Sequence, residues 1–346
     1  MKRIVLSVFV LVLIAVIATG AWTYSLVQRP YKGYAEEETF VDIAPGSSPQ
    51  AMARALADAG VVVNPVAFRL AVWLRGAGRR LQAGEYRFDR AMTPGDVVDK
   101  IVRGDVFLRA VTFREGLTIR QMAAVFEERG LGSRRDFVAA AANGALVRAL
   151  DPDAKDLEGY LFPDTYTLPR HTTAEELIAR MVARFDKALT PEVRSTAAAR
   201  GLSVRELVTL ASLVEKETAK PEERPLVAAV YSNRVTIGMG LQCDPTVIYA
   251  LERAGRYTGN LTRADLQFDS PYNTYRYAGL PPGPIAAPGQ ASLEAAAAPA
   301  TVPYLYFVSR NDGSHAFAAT LDEHNRNVQE WQVRYFREKR RQQENR

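Results

Sequence analysis

The residues best equipped for chemistry lie in the stretch 203–219, SVRELVTLASLVEKETA, which sets a carboxylate within the apolar face of a helix. Ser203 and Glu206 have the spacing of a capping box, which predicts a helix beginning there. Leu207, Leu210, Leu213 and Val214 recur at helical spacing and mark its buried face. Glu217 follows Leu213 by four positions and Val214 by three, so it falls close to that face, whereas Glu215 turns to the side and Lys216 further still. A carboxyl held against apolar side chains resists ionisation and can stay protonated near neutral pH, as a general acid must. The same letters also fit an exposed Glu–Lys–Glu run that merely closes a helix. The blocks that follow in the chain decide for the acid.

The elements that must position this acid begin at a membrane. Lys2 and Arg3 precede an uncharged run over 4–27, ended by Arg29 and Pro30. Roughly 20 apolar residues cross a bilayer as a helix, and this run supplies them. A cleaved signal peptide has a shorter apolar core of ~7–15 residues and a small-x-small site after it, for which Ala18, Thr19 and Gly20 are a poor match. An uncleaved single-pass anchor is therefore expected, with Trp22 and Tyr24 at the interface. The basic residues before the span keep the short N-terminus in the cytoplasm and place everything after Pro30 outside. With 346 residues, 47% of them hydrophobic, the chain is long enough for two domains and a sizeable core. Its net charge of +5 suits an anionic polymer or a membrane surface, and no groove-reading motif points to nucleic acid. Cys243 stands alone and has no disulfide partner, and His171, His315 and His324 lack ligand spacing, so neither a metal nor a cofactor is expected.

Between anchor and acid lies a weak repeat at a spacing of 70 residues: VDIAPGSSPQAMARALADAG over 41–60 aligns with VTFREGLTIRQMAAVFEERG over 111–130. Each copy reads as a strand, a glycine turn, a Ser/Thr cap and an amphipathic helix. Residues 83–88 alternate like a strand and 93–102 like another capped helix, giving small α+β units that either bind glycan or space the next domain from the membrane. From about Asp151 the character changes. An aromatic run, LEGYLFPDTY over 157–166, precedes helical segments at 173–189, 203–219 and 222–235. A long Pro/Gly-rich segment, 272–290, then carries tyrosines and an asparagine, and 303–309 reads as a strand. The segment from Arg334 is basic and reads as a solvated helix end.

Four ordered blocks, LASLVEKETA, NRVTIGMGLQCDPTVIYAL, YNTYRYAGLPPGPIAAPG and PYLYFVS, resemble the endolytic murein transglycosylases, the MltG or YceG-like family. The resemblance spans nearly the whole chain. It implies an α+β protein with a cytoplasmic stub and transmembrane anchor at 1–29, a LysM-like module over 38–150, a mixed α/β catalytic domain over 151–335 and a basic tail at 336–346. It also implies an inner-membrane location, nascent peptidoglycan strands as substrate, and strand termination as the outcome. Peptidoglycan synthases are the protein partners it leaves room for. The family's catalytic glutamate, the second Glu of the EKE element, maps onto Glu217, the residue that the helical face selects by itself. One departure is Cys243, where the family usually shows Thr or Ser before Asp-Pro-Thr.

A lone acid fits this chemistry. Most glycosidases need two carboxylates around the scissile bond. The resemblance implies instead that Glu217 protonates the oxygen between MurNAc and GlcNAc, then takes the proton from the muramoyl C6 hydroxyl as it closes a 1,6-anhydro ring. Supporting positions each carry two readings. Glu158 is a cleft hydrogen-bond partner or a structural ion pair. Asn233 and Arg234 anchor substrate, or the arginine pairs with Glu215 or Glu222. Gln242, Asp244 and Thr246 contact sugar hydroxyls, or Asp244 caps the next helix. Tyr272, Asn273 and Tyr275 stack on and bond to sugars, or pack in a core. Two other functions stay open: a hydrolytic muramidase with Asp244 or Glu158 as second carboxylate, and a non-catalytic peptidoglycan-binding scaffold.

Overall fold

The computed structural model describes residues 2–344; Met1, Asn345 and Arg346, at the outer ends of the expected anchor and basic tail, lie outside the described residues. The chain divides into two compact units, Met1–Val111 with Thr167–Thr172, and Thr112–Tyr166 with Thr173–Arg346.

The first unit begins with α1 (Lys2–Gln28). Its stretch Phe9–Gln28 has a mean hydropathy of 2.1 over 20 residues, long and apolar enough to cross a membrane. Among the residues whose burial is described, its last turn docks into the core through Val27. There β1 (Thr39–Ile43) pairs antiparallel with β2 (Gly84–Phe88), with α2 (Pro49–Asp58), α3 (Pro65–Leu74) and α4 (Pro94–Arg103) packed around them. Strand alternation turns Val41, Ile43, Tyr86 and Phe88 inward against Leu56, Phe68, Val98 and Ile101. Each such burial contributes about 1.5–3 kcal/mol. Glu85 breaks the pattern, buried on β2 but held by the forked guanidinium of Arg109 and by Arg170. A strand, β3 (Leu108–Thr112), then leads toward the second unit.

The expected repeat is visible in local geometry. Gly46 and Gly60 adopt positive φ (79° and 69°) around a helix capped by Ser48; Gly116 and Gly130 do the same (74° and 69°) around one capped by Thr118. The division between the compact units falls just inside the second copy, and the helix of each copy lies in a different unit.

The strand β4 (Thr165–Pro169), which forms a two-stranded ribbon with β3, is split by the division at Tyr166; the second unit contains α5 (Ile119–Glu128), α6 (Arg134–Ala141), α7 (Ala174–Ala188), α8 (Pro191–Ala199) and α9 (Val204–Glu217). It continues with α10 (Arg224–Thr236), α11 (Asp244–Arg253) and α12 (Gln290–Ala297), then a hairpin of β5 (Tyr306–Ser309) and β6 (His315–Ala318). Two further helices, α13 (Leu321–Val328) and α14 (Tyr335–Glu344), carry the basic end. The axis of this unit is α9, which α8, α10, α11 and α12 surround. Its capping box forms as expected: Ser203 accepts from Glu206 N–H, and Glu206 accepts from Ser203 N–H at 2.8 Å. Its burial differs from the expected single stripe. Every side chain from Leu207 to Val214 is buried, Thr209 and Ser212 included, because small residues of α12 pack close on the side that periodicity left open.

Candidate functional site

The helix α9 delivers Glu217 as its last residue, after which Thr218 turns the chain into extended backbone at φ −134°. Glu217 is half-buried. Its Oε2 accepts the Tyr231 hydroxyl of α10 at 3.0 Å and lies 3.9 Å from Cys243 Sγ. Oε1 accepts no hydrogen bond from the described residues. Burial pushes this carboxyl above the usual range, and Asp244 adds to the rise; the Tyr231 hydrogen bond and the His315 imidazole pull it back without cancelling it. Tyr231 and Cys243 are themselves buried and pushed far up, so both remain protonated donors.

The acid opens on a groove of about 840 Å³, lined by residues 112–115, 163–165 and 215–219 together with Arg224. Such a volume lies within the range of small-ligand sites, roughly 300–1,000 Å³. Three other carboxylates share the groove. Glu215 is fully engaged, accepting from Ser292 Oγ at 2.7 Å, Gly289 N–H at 3.0 Å and Arg224 at 3.4 Å. Asp164 accepts from Arg184 at 2.8 Å. Glu115 has only a long contact of 3.7 Å to Arg224, and burial, then the charge of Glu215, pushes it up. Lys216 donates to the Gly116 carbonyl at 3.1 Å and fixes the facing loop.

A brace holds the mouth of the site. Glu223 accepts the backbone N–H of His315 at 2.8 Å, faces its Nδ1 at 2.7 Å, and accepts the Thr218 hydroxyl at 3.2 Å. Burial works against its charge, but these hydrogen bonds prevail and hold Glu223 below the usual range. The residue after the acid is thereby tied to the hairpin.

The expected supporting residues fall into three settings. Near the acid, Asp244 is exposed and accepts the Tyr275 hydroxyl at 2.5 Å, and Gln242 is exposed with left-handed backbone at φ 49°. A non-glycine residue in that region costs of order 1 kcal/mol and is commonest where function fixes the chain. Inside the fold, Asn233 donates to the carbonyls of Val302 and Tyr304, and Arg234 to those of Leu305, Gly240 and Leu241. Thr246 bonds the Cys243 carbonyl, and Asn273 donates to those of Leu266 and Phe268. Elsewhere, Glu158 is fully buried with both oxygens used, Oε1 by Ile119 N–H at 3.0 Å and Oε2 by the Tyr249 hydroxyl at 3.2 Å. Burial pushes it up to about 8. It lines two smaller cavities of about 370 and 280 Å³, the second shared with Tyr272, and neither includes Glu217.

Sequence reasoning missed Tyr231, Glu115 and Arg224. A tyrosine on an otherwise apolar helix, LVAAVYSNRV, was the one available signal, since a buried phenol seeks a partner. Glu115 in the glycine turn of the repeat and Arg224 at the start of a helical segment are ordinary charged residues in their local patterns and gave none.

Residues 41–330 match the profile of the YceG-like family. A Bacillus subtilis protein named endolytic murein transglycosylase is 33% identical over 324 residues, covering 89% of each chain. A namesake from Streptococcus pneumoniae strain D39 is 33% identical over 95% of this chain and 65% of its own length. The crystal structure of a YceG-like protein from Listeria monocytogenes superposes with a TM-score of 0.58 at 33% identity, over 84% of this chain and 98% of that one. With the profile covering most of its length and relatives alike at this level, the chain belongs to the YceG-like family.

Proposed function

We infer that the protein is an endolytic murein transglycosylase, a lyase that cuts the MurNAc–GlcNAc bond within glycan strands and leaves 1,6-anhydroMurNAc ends. The observation that carries this reading is Glu217 itself: a carboxyl whose hold on its proton burial strengthens, with one oxygen held by Tyr231 and the other unclaimed beside a groove. In the reaction, Oε1–H donates to the glycosidic oxygen as positive charge develops at C1. The resulting carboxylate, steadied by Tyr231, accepts the proton of the C6 hydroxyl as that oxygen closes on C1. The proton count balances, and no water is consumed. General acid–base action of this kind contributes about 10²–10⁴ in rate. Hydrolysis would need an ionised partner to activate water. Glu215 and Asp164 are committed to cations.

Around this centre we place α1 as an uncleaved anchor in the cytoplasmic membrane, with the remainder on its outer face, within reach of strands emerging from peptidoglycan synthases. Residues 38–150 form the LysM-like glycan-binding part, whose second copy also supplies Glu115 to the groove wall, and 151–335 carry the chemistry. Asp244, Gln242 and Tyr275 are the supporting residues best placed to meet sugar hydroxyls.

The test is product analysis of peptidoglycan incubated with the full chain and with Glu217→Gln. Mass spectrometry should find anhydro ends from the wild type and none from the variant. Reducing ends would assign a hydrolase; full activity of a folded Glu217→Gln would remove the acid from its role.

A further inference from the structure

We propose that the tip of α3 is a second membrane contact, in which Trp73 and Leu74 enter the headgroup region of a phospholipid surface beside the anchor. The proposal rests on reading α1 as the membrane span. Trp73 is 75% exposed and Leu74 57%, although α3 is otherwise an apolar helix whose other face packs in the core. Val66, 55% exposed and seven positions before Trp73, falls on the same side of the helix, so the three form a shared apolar face and not scattered single residues.

The path from anchor to tip is short at every step. Val27, at the end of α1, is buried in the core that holds Phe68, Ala71 and Val72 of α3. Three residues beyond Gln28, Tyr31 pairs with Met92, N–H to carbonyl at 3.0 Å and back at 3.2 Å. Met92 leads directly into α4, and a Cβ on Gly95 there would come within 2.4 Å of Arg75, the residue after Leu74. The base of α1 also packs directly on α3 and α4, so the tip belongs to a helix that the anchor itself touches.

Depth agrees. From the exposed Trp22 to Gln28 the helix rises ~9 Å. A headgroup layer is about 5–8 Å thick, so with Trp22 at the hydrocarbon boundary the base of α1 lies at the outer edge of the headgroups, within reach of a large side chain pointing back toward them. Charge agrees as well. The segment 69–80, RLAVWLRGAGRR, holds four arginines and no acid. Arg75 is paired with Asp99, but Arg79 has no ion-pair partner among the described residues. An aromatic ring beside unpaired arginines matches anionic phospholipid: the ring takes the interface and the guanidinium groups take the phosphates.

The experiment uses the full chain in phosphatidylglycerol/phosphatidylcholine vesicles, with and without bromine on the acyl chains. The protein has three tryptophans. A Trp22→Phe/Trp331→Phe variant leaves Trp73 as sole emitter, and Trp73→Phe/Trp331→Phe leaves Trp22. Bromine should dim Trp73 about twofold, as expected for an interfacial ring, and Arg79→Glu with Arg80→Glu should weaken that effect. Trp22 quenched with Trp73 unaffected overturns the second contact and leaves the anchor standing. If neither is quenched, the anchor reading has failed and takes the contact with it. A Trp73 signal that changes only with protein-to-lipid ratio, with no bromine effect, assigns the tip to a second copy of the chain and overturns the lipid assignment.

Discussion

Glu217 and Glu158 share one property and differ in the one that matters. Burial raises both carboxyls. Glu158 then spends both oxygens on the fold, one on the N-terminus of α5 and one on Tyr249, whereas Glu217 spends one and keeps the other over a groove. A raised proton affinity thus marks a low-dielectric setting, and an unclaimed oxygen marks a reagent. The pair shows why perturbed acidity alone is a weak guide to active sites.

The comparison predicts an asymmetry in rate first. Glu217→Gln should lower glycan cleavage by about 10²–10⁴ or more, while Glu158→Gln, which keeps the shape and the acceptor for Ile119, should stay within about tenfold. An equal loss in both, measured as release of soluble fragments, would erase the distinction. Stability should invert the order. Glu158→Ala leaves a buried N–H and a phenol unpaired and should cost about 2–4 kcal/mol in denaturant melts, against roughly 1 kcal/mol for Glu217→Ala.

Linkage gives the third outcome. The unfolded chain loses the Glu158 proton in the ordinary carboxylate range, and the folded one holds it to about 8. Between those limits the native state binds more protons, so stability falls as pH rises, by up to about 5 kcal/mol over the whole span. Glu158→Gln should flatten that slope in melts recorded from pH 4 to 8; an unchanged slope would assign the proton elsewhere. The smallest effect concerns Tyr231, whose hydrogen bond favours the ionised form of Glu217. Tyr231→Phe should therefore move the alkaline limb of the pH–rate profile to higher pH, with a neutral-pH rate change below about tenfold. Movement to lower pH would reverse the assigned sign.

Much of this was legible in the letters. The capping box at Ser203 and the position of Glu217 four residues past Leu213 follow from spacing, and the structure keeps both the cap and Glu217 at the end of that helix. The full enclosure of α9 did not, because periodicity registers large apolar residues and passes over Thr209, Ala211 and Ser212, which are buried all the same, Ser212 accepting the Ile285 N–H. Glu215 shows the same limit. Spacing turns it to the side, yet Gly289 and Ser292 close over it from more than 70 residues away. Asn233, Arg234, Thr246 and Asn273 stand in the blocks that carry the family resemblance, but their side chains bind backbone carbonyls. Sequence cannot separate a polar group that meets a ligand from one that holds the wall behind it. The repeat was readable as two similar pieces; which unit each piece joined depended on contacts that no local pattern encodes.

The place of Glu217 at the very end of α9 has an electrical consequence. Aligned peptide dipoles leave about half a negative charge at a helix C-terminus, and the carbonyls of Glu215, Lys216 and Glu217 lie beyond the last intrahelical bond, that from Thr218 N–H to the Val214 carbonyl. An anion there is disfavoured by about 0.3–1 kcal/mol. The helix therefore resists the loss of the proton of Glu217 and, once it has gone, favours its return, so in the proposed cycle the backbone opposes the first half slightly and drives the second. Unwinding that final turn would make the acid stronger and the base weaker with no change of side chain.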